Sequence, residues 1–161
     1  MPNGEDEPVP TVVANSVDAY LVRRQPGGLQ FLLLLRKPDL PLGQTWQPIH
    51  TQVTGRETAM DAAKRAIRTR TGIHQGTYSS ADIIHQFYDH LSDTVVLAPV
   101  LVCEVAPRVP VVLDDEHFDS AWCDREEATA RLLWAGQRSA VRHIDDLLGP
   151  GGPDTDFYRI S

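Results

Sequence analysis

The stretch GRETAMDAAKRAIRTRTGI, residues 55–73, constrains this chain more than any other, because it reads as one amphipathic helix with its own entrance and exit, set among β-rich runs. Glu57 and Thr58 open it and Gly72 closes it, which predicts a helix over 58–71. Met60, Ala63 and Ile67 fall on one face at i, i+3 and i+7, while Asp61, Lys64, Arg65 and Arg68 point elsewhere. Upstream, 11–24 and 29–37 are β-rich and joined by QPGG, a hairpin signal in which Gly27 and Gly28 can take positive φ. Residues 38–44 read as a loop, and TWQPIHTQV after it carries a short strand. Downstream, 77–90 and 94–106 read as two long strands around LSD, and Pro99 predicts a bulge or an edge position in the second. Two short strands around an acidic turn are expected over 109–124, then helices over 125–133 and 136–148 with a break near 134–136. Strands, one helix, more strands and a terminal helix imply an α/β/α sandwich, with helices on the two faces of a mixed sheet. The pattern divides the chain into a disordered arm (1–10), a single domain (11–148) and a flexible tail (149–161).

Charge and composition narrow the function. A net charge of −7 argues against duplex nucleic acid as a partner, since that binding is driven by phosphate neutralisation; a local basic patch can still hold a small phosphorylated ligand. The longest apolar run, FLLLL, is too short to span a bilayer, and the acidic, proline-rich start is not a signal peptide, so a cytoplasmic protein without membrane partners is expected. Cys103 and Cys123 sit in apolar surroundings without CxxC or Cys/His ligand spacing and read as buried free thiols. The six histidines show no metal-ligand spacing, and no phosphate-cradling Gly-rich loop or Ser–His–Asp signature occurs. Trp122 and Trp134 read as core, whereas Trp46, in the loop before the helix, is the candidate to stack on a base.

The helix and its approach resemble the Nudix box, whose pattern is G-x5-E-x7-R-E-U-x-E-E-x-G-U. Glu57 takes the first glutamate position, Arg65 the arginine, Ile67 the bulky apolar position and Gly72–Ile73 the closing pair. The resemblance runs over about residues 12–148. TWQPIHTQVTGRET and DDEHFDSAWCDREEATARLLWAGQRSAVRHI are similar to the MutT-like nucleotide pyrophosphohydrolase branch that includes dihydroneopterin triphosphate pyrophosphatase. This implies the Nudix fold, with the Nudix-type helix at 58–71 and a C-terminal helix, a nucleotide as ligand, and Mg²⁺ or Mn²⁺ as cofactor where hydrolysis is retained. A homodimer is a further implication.

The departures concern the metal. The opening glycine is Thr51 here, with His50 before it, and the three box glutamates are replaced by Ala66, Thr69 and Arg70. Carboxylates at i, i+3 and i+4 would converge on one helix face and give a hard divalent ion its oxygen ligands; alanine offers none, threonine a weak one, and arginine repels the cation. The leading expectation is therefore a Nudix-fold protein that binds a nucleotide or other phosphorylated small molecule, with metal-dependent hydrolysis lost or weak. Arg36, Trp46, His50 and Arg70 are its candidate ligand contacts. The alternative is an active Mg²⁺- or Mn²⁺-dependent pyrophosphohydrolase, in which Glu57 and Glu116 serve as catalytic acids and metal ligands. A structural or protein-interaction module is the third reading, and its mark would be a cleft filled or covered.

Overall fold

Residue alternation along one central strand sets the architecture, which the computed structural model describes over residues 9–160. In β2 (Ser16–Gln25), Tyr20 and Val22 face one side of the sheet, and Val17, Ala19 and Leu21 face the other. On the first side they meet Phe31 and Leu33 of β3 (Gly28–Arg36) and Val141 and Ile144 of α3 (Ala135–Leu148). On the second they meet Ala63, Ala66 and Ile67 of α1 (Ala59–Thr71). The remaining elements are β1 (Thr11–Val13), β4 (Trp46–Gln47), β5 (Ile49–Gln52), β6 (Thr77–Asp89), β7 (Thr94–Glu104), β8 (His117–Cys123), α2 (Arg125–Arg131) and β9 (Arg159–Ile160). The sheet runs β4-β3-β2-β7-β6-β9, with β1 on β7, β5 on β2 and β8 on β3. The β2–β7 and β1–β7 pairings are parallel and the others antiparallel. The expected α/β/α sandwich on a mixed sheet is present. No helix among the described residues is long and apolar enough to cross a membrane.

Local chemistry explains why α1 starts and stops where it does. The Thr58 hydroxyl accepts from the Asp61 amide and the Asp61 carboxylate accepts from the Thr58 amide, both at 3.1 Å, a reciprocal cap. At the other end Gly72 turns left-handed (φ 70°) and donates to Arg68 O at 2.9 Å.

Several expectations need correction. β7 is interior, so Pro99 is not at an edge; the bulge is taken by β6, where the register jumps between Ser80 and Ile84 and Asp82 adopts φ 57°. Pro99 lies in the gap between β7's pairing with β1, which ends at Val96, and with β2, which begins at Val100. Its missing N–H therefore breaks no ladder on that side. Over 109–124 only one strand forms, β8; residues 109–116 cross the end of α1 as irregular chain, held by Val112 N donating to Thr71 O at 2.9 Å. The tail expected over 149–161 ends, in its described part, in a 3-10 turn and in β9, which pairs with Tyr78 and Ser79 of β6. The arm expected over 1–10 lies, apart from its last two residues, outside the described residues. Trp134 is half exposed at the start of α3, not core, whereas Trp122, partly buried, packs on the α1-side core as expected, with the Arg23 guanidinium 4.5 Å above its ring.

The two cysteines are free and buried, and burial raises both thiols, that of Cys103 to about 11. They belong to cores on opposite faces of the sheet, which keeps them from pairing.

Candidate functional site

A buried acid organises the site. Asp18, 2% exposed, sits on the α3 face of β2, directly opposite His50 of β5 in the antiparallel register. Its two carboxylate oxygens take one imidazole each: His50 Nδ1 lies 2.5 Å from Oδ1, and His85 Nδ1 lies 2.6 Å from Oδ2. His85 comes from β6, two strands away, and faces Ala98 of the intervening β7, whose small side chain leaves the two groups room to meet. Burial pushes the Asp18 carboxyl up, but the hydrogen bonds from both histidines outweigh it, and the net shift is downward. The hydrogen bond to Asp18 in turn raises the His85 imidazole above its ordinary value.

A cavity of about 630 Å³ opens above this trio, a size that suits a mononucleotide. Arg36 and Arg70 line one wall. Arg36, at the end of β3, donates to Pro41 O at 2.7 Å and pairs with Glu116 at 3.2 Å. Arg70, on α1, donates to His50 O at 2.6 Å, and its burial lowers its pKa from the ordinary value. The start of α3 also lines the cavity, with Trp134, Ala135, Gly136 and Gln137. No side chain caps this helix start, and Gln137 Oε1 is buried without a partner in the protein. His117, held by Asp114 at 2.7 Å, and Phe87 complete the surroundings.

Among the sequence-predicted residues, Arg36, His50 and Arg70 come together in this cavity. Trp46 does not line it: it pairs with Leu35, packs on the α3-side core and lies 4.7 Å beneath the Arg131 guanidinium. Glu57 is also outside the lining, with its carboxylate saturated by Arg65 (2.7 and 3.0 Å) and Thr54 (2.7 and 3.0 Å). The Arg65 hydrogen bonds chiefly, with those of Thr54, hold it down to about 2. On α1, Ala66 is buried in the core, Thr69 is exposed, and only Arg70 of the three reaches the cavity. Among the described residues no group of three or more His, Cys, Asp or Glu is arranged to hold a metal ion. The residues present do not fit a Nudix-type divalent cation: the helix's carboxylate, Asp61, is tied up in the N-terminal cap and does not line the cavity, and Asp18 is taken up by two imidazoles.

Asp18, His85, Gly136 and Gln137 were not singled out by the sequence reading. An ionisable residue in the inward run SVDAYLV was the available signal for Asp18. Gly136 has a steric reason: a Cβ there would lie 2.7 Å from His85 Nε2. Glycine to alanine near a helix start ordinarily stabilises by up to about 1 kcal/mol. Here Gly136→Ala is expected to destabilise by about 1–2 kcal/mol in urea unfolding, because the displaced ring is tethered to Asp18. A stabilised variant would show that His85 is free to move aside.

No family model and no curated protein matches this sequence. The structure is similar to solved Nudix structures. An Ap4A hydrolase from C. elegans in a binary complex is 21% identical over 82% of this chain and 95% of its own, with a TM-score of 0.68. The dihydroneopterin triphosphate pyrophosphohydrolase of E. coli is 20% identical over 86% and 98%, with a TM-score of 0.68. The NUDIX domain of NrtR from Shewanella oneidensis, complexed with ADP ribose, is 12% identical over 88% and 90%, with a TM-score of 0.65. The chain has the Nudix fold.

Proposed function

We propose that this Nudix-fold chain is a divergent Nudix protein of the nucleotide pyrophosphohydrolase branch, which binds a nucleotide or a similar phosphorylated small molecule without the family's helix-bound metal. Arg70 carries the reading. It stands where the box would place a metal-binding glutamate, and it brings a permanent positive charge to the cavity. A guanidinium contacts phosphate oxygens through paired N–H donors and supplies charge that the cation would otherwise bring. Arg36 lies beside it, and His50 gives a third polar contact. Trp134, half exposed at the rim, replaces Trp46 as the ring available to a base. Neighbours of the same fold are described with ADP ribose and as hydrolases of Ap4A and dihydroneopterin triphosphate, which supports a nucleotide-like ligand.

The test is calorimetric titration of the protein with AMP, ADP and ADP-ribose in chelator. Binding is expected without added metal, and Arg70→Gln is expected to weaken it about tenfold, the loss of one charge-assisted contact. Binding that appears only with Mg²⁺, or that is indifferent to Arg70, would overturn the reading.

A further inference from the structure

We infer that His50 and His85, joined through the carboxylate of Asp18, are a metal-free acid–base pair that hydrolyses a phosphodiester held at Arg36 and Arg70; this rests on the phosphorylated-ligand reading above. Three observations support it. Both rings turn Nδ1 to one buried carboxylate, at 2.5 and 2.6 Å, and a carboxylate accepts hydrogen bonds. Each Nδ1 therefore carries its proton, and each Nε2 is the atom left to take or give one. The two rings also sit in different surroundings. The His50 side chain is 42% exposed at the mouth and that of His85 only 15% exposed deeper in. The more exposed His50 is the ring that meets solvent water and serves as the base, and the sheltered His85, whose charged form its hydrogen bond to Asp18 favours, serves as the acid. Finally, Gly136 lets the start of α3 pass His85 Nε2 without a Cβ, which would intrude to 2.7 Å, and His85, His50, Arg36 and Arg70 line the same cavity.

Charge selects the substrate class. Arg36 is paired with Glu116 at 3.2 Å, which leaves Arg70 as the principal positive charge that the cavity offers a phosphate. A diester carries one negative charge and fits that balance, whereas a triphosphate carries several. The leaving group points the same way. A departing phosphate needs no proton, but a departing alkoxide does, and a positioned acid is useful only for the second.

In the step, His50 Nε2 takes a proton from water as the water oxygen forms its bond to phosphorus. The bond from phosphorus to the ester oxygen breaks, its electron pair leaves with the alkoxide, and that oxygen takes the Nε2 proton of the His85 imidazolium. A phosphomonoester and an alcohol result, nothing is oxidised or reduced, and proton exchange with solvent resets the two rings. Asp18 is a positioning residue: it fixes both tautomers and does not touch the substrate.

The experiment incubates the full chain in EDTA with 2′,3′-cyclic AMP, with ATP alongside, and follows products by chromatography. Opening of the cyclic diester to a monophosphate is expected, unchanged by EDTA or Mg²⁺, with ATP left intact. His85→Asn and His50→Ala should each lower kcat about 100-fold or more while KM holds within about threefold. Added imidazole should restore part of the His50→Ala activity, since that ring sits at the mouth, an effect no structural role would give. Asp18→Asn, whose amide cannot fix both tautomers, should lower kcat with KM unchanged. If the protein binds AMP in chelator but opens no cyclic diester, or opens it undiminished in both histidine variants, the acid–base pair is overturned and the binding reading stands. Absence of both AMP binding and turnover would overturn the binding reading itself.

Discussion

Ala66→Glu is expected to cost about 3 kcal/mol or more, measured by urea unfolding at pH 7. Residue 66 is where the box carries a metal-binding glutamate, so the substitution looks like a return to the family's pattern. In this chain the position is 2% exposed, and its neighbours in the core include Ala62, Ala63 and Ile67. A longer side chain overfills that space, at a cost of about 1–3 kcal/mol, and a buried unpaired carboxylate adds a penalty of similar size or larger. The pH dependence supplies a second readout. Burial raises the pKa of the introduced carboxyl, so the folded variant binds a proton more readily than its unfolded chain, and the deficit should shrink as pH falls from 7 towards 4. The triple change with Thr69→Glu and Arg70→Glu tests whether the cleft can still be rebuilt. If it can, Mg²⁺ raises the unfolding midpoint of the triple variant and not that of the parent. A neutral effect of Ala66→Glu alone would mean that the new side chain swings out of the core into the cleft, and that the core has not closed over the position.

How far the fold could be read from the sequence depended on whether the information was local. The cap at Thr58, the stop at Gly72 and the two-residue turn at Pro26–Gly27 depend on neighbours within a few residues, and α1 and the β2–β3 hairpin formed where expected. Residues 109–116 had the alternation of a strand but no partner strand to complete one, so Val109, Val111 and Leu113 pack on the α1-side core as irregular chain while Val112 stays exposed. For Pro99 the sequence left a bulge or an edge position open; the register shows the bulge, carried by β6 across from it, and no edge. The site divided the same way. Arg36, His50 and Arg70 followed from spacing against a known pattern. Asp18 and His85 are 67 residues apart and meet only because β7 lies between their strands and offers Ala98 at the crossing. Trp46 failed for a related reason: its loop position hid that it would form β4 and lie under Arg131.

Asp18→Ala is expected to destabilise the protein by about 2–3 kcal/mol at pH 5–6, with the deficit shrinking on either side. Two hydrogen bonds to a charged acceptor are lost, each worth about 1.5–3 kcal/mol, and the relief of burying a carboxylate offsets part of the sum. The sign of the pH dependence follows from the two shifts. Asp18 is lowered in the folded state, so its contribution is present above the ordinary carboxylate range near pH 4 and fades as pH falls through the folded value. His85 is raised, so its contribution is full below the ordinary histidine value near pH 6.5 and fades as pH rises through the folded one. Both are present together only between about pH 4 and 6.5, where the difference between parent and variant should peak. Urea unfolding of the two proteins at intervals from pH 3 to pH 9 measures that difference directly. A difference that stays level from pH 5 up to pH 9 would mean that His85 is not held charged against the carboxylate, which would remove the imidazolium that the hydrolytic step requires. A peak in the stated window, together with loss of cyclic-diester opening in Asp18→Asn, would tie the stability of the fold and the chemistry of the cavity to the same carboxylate.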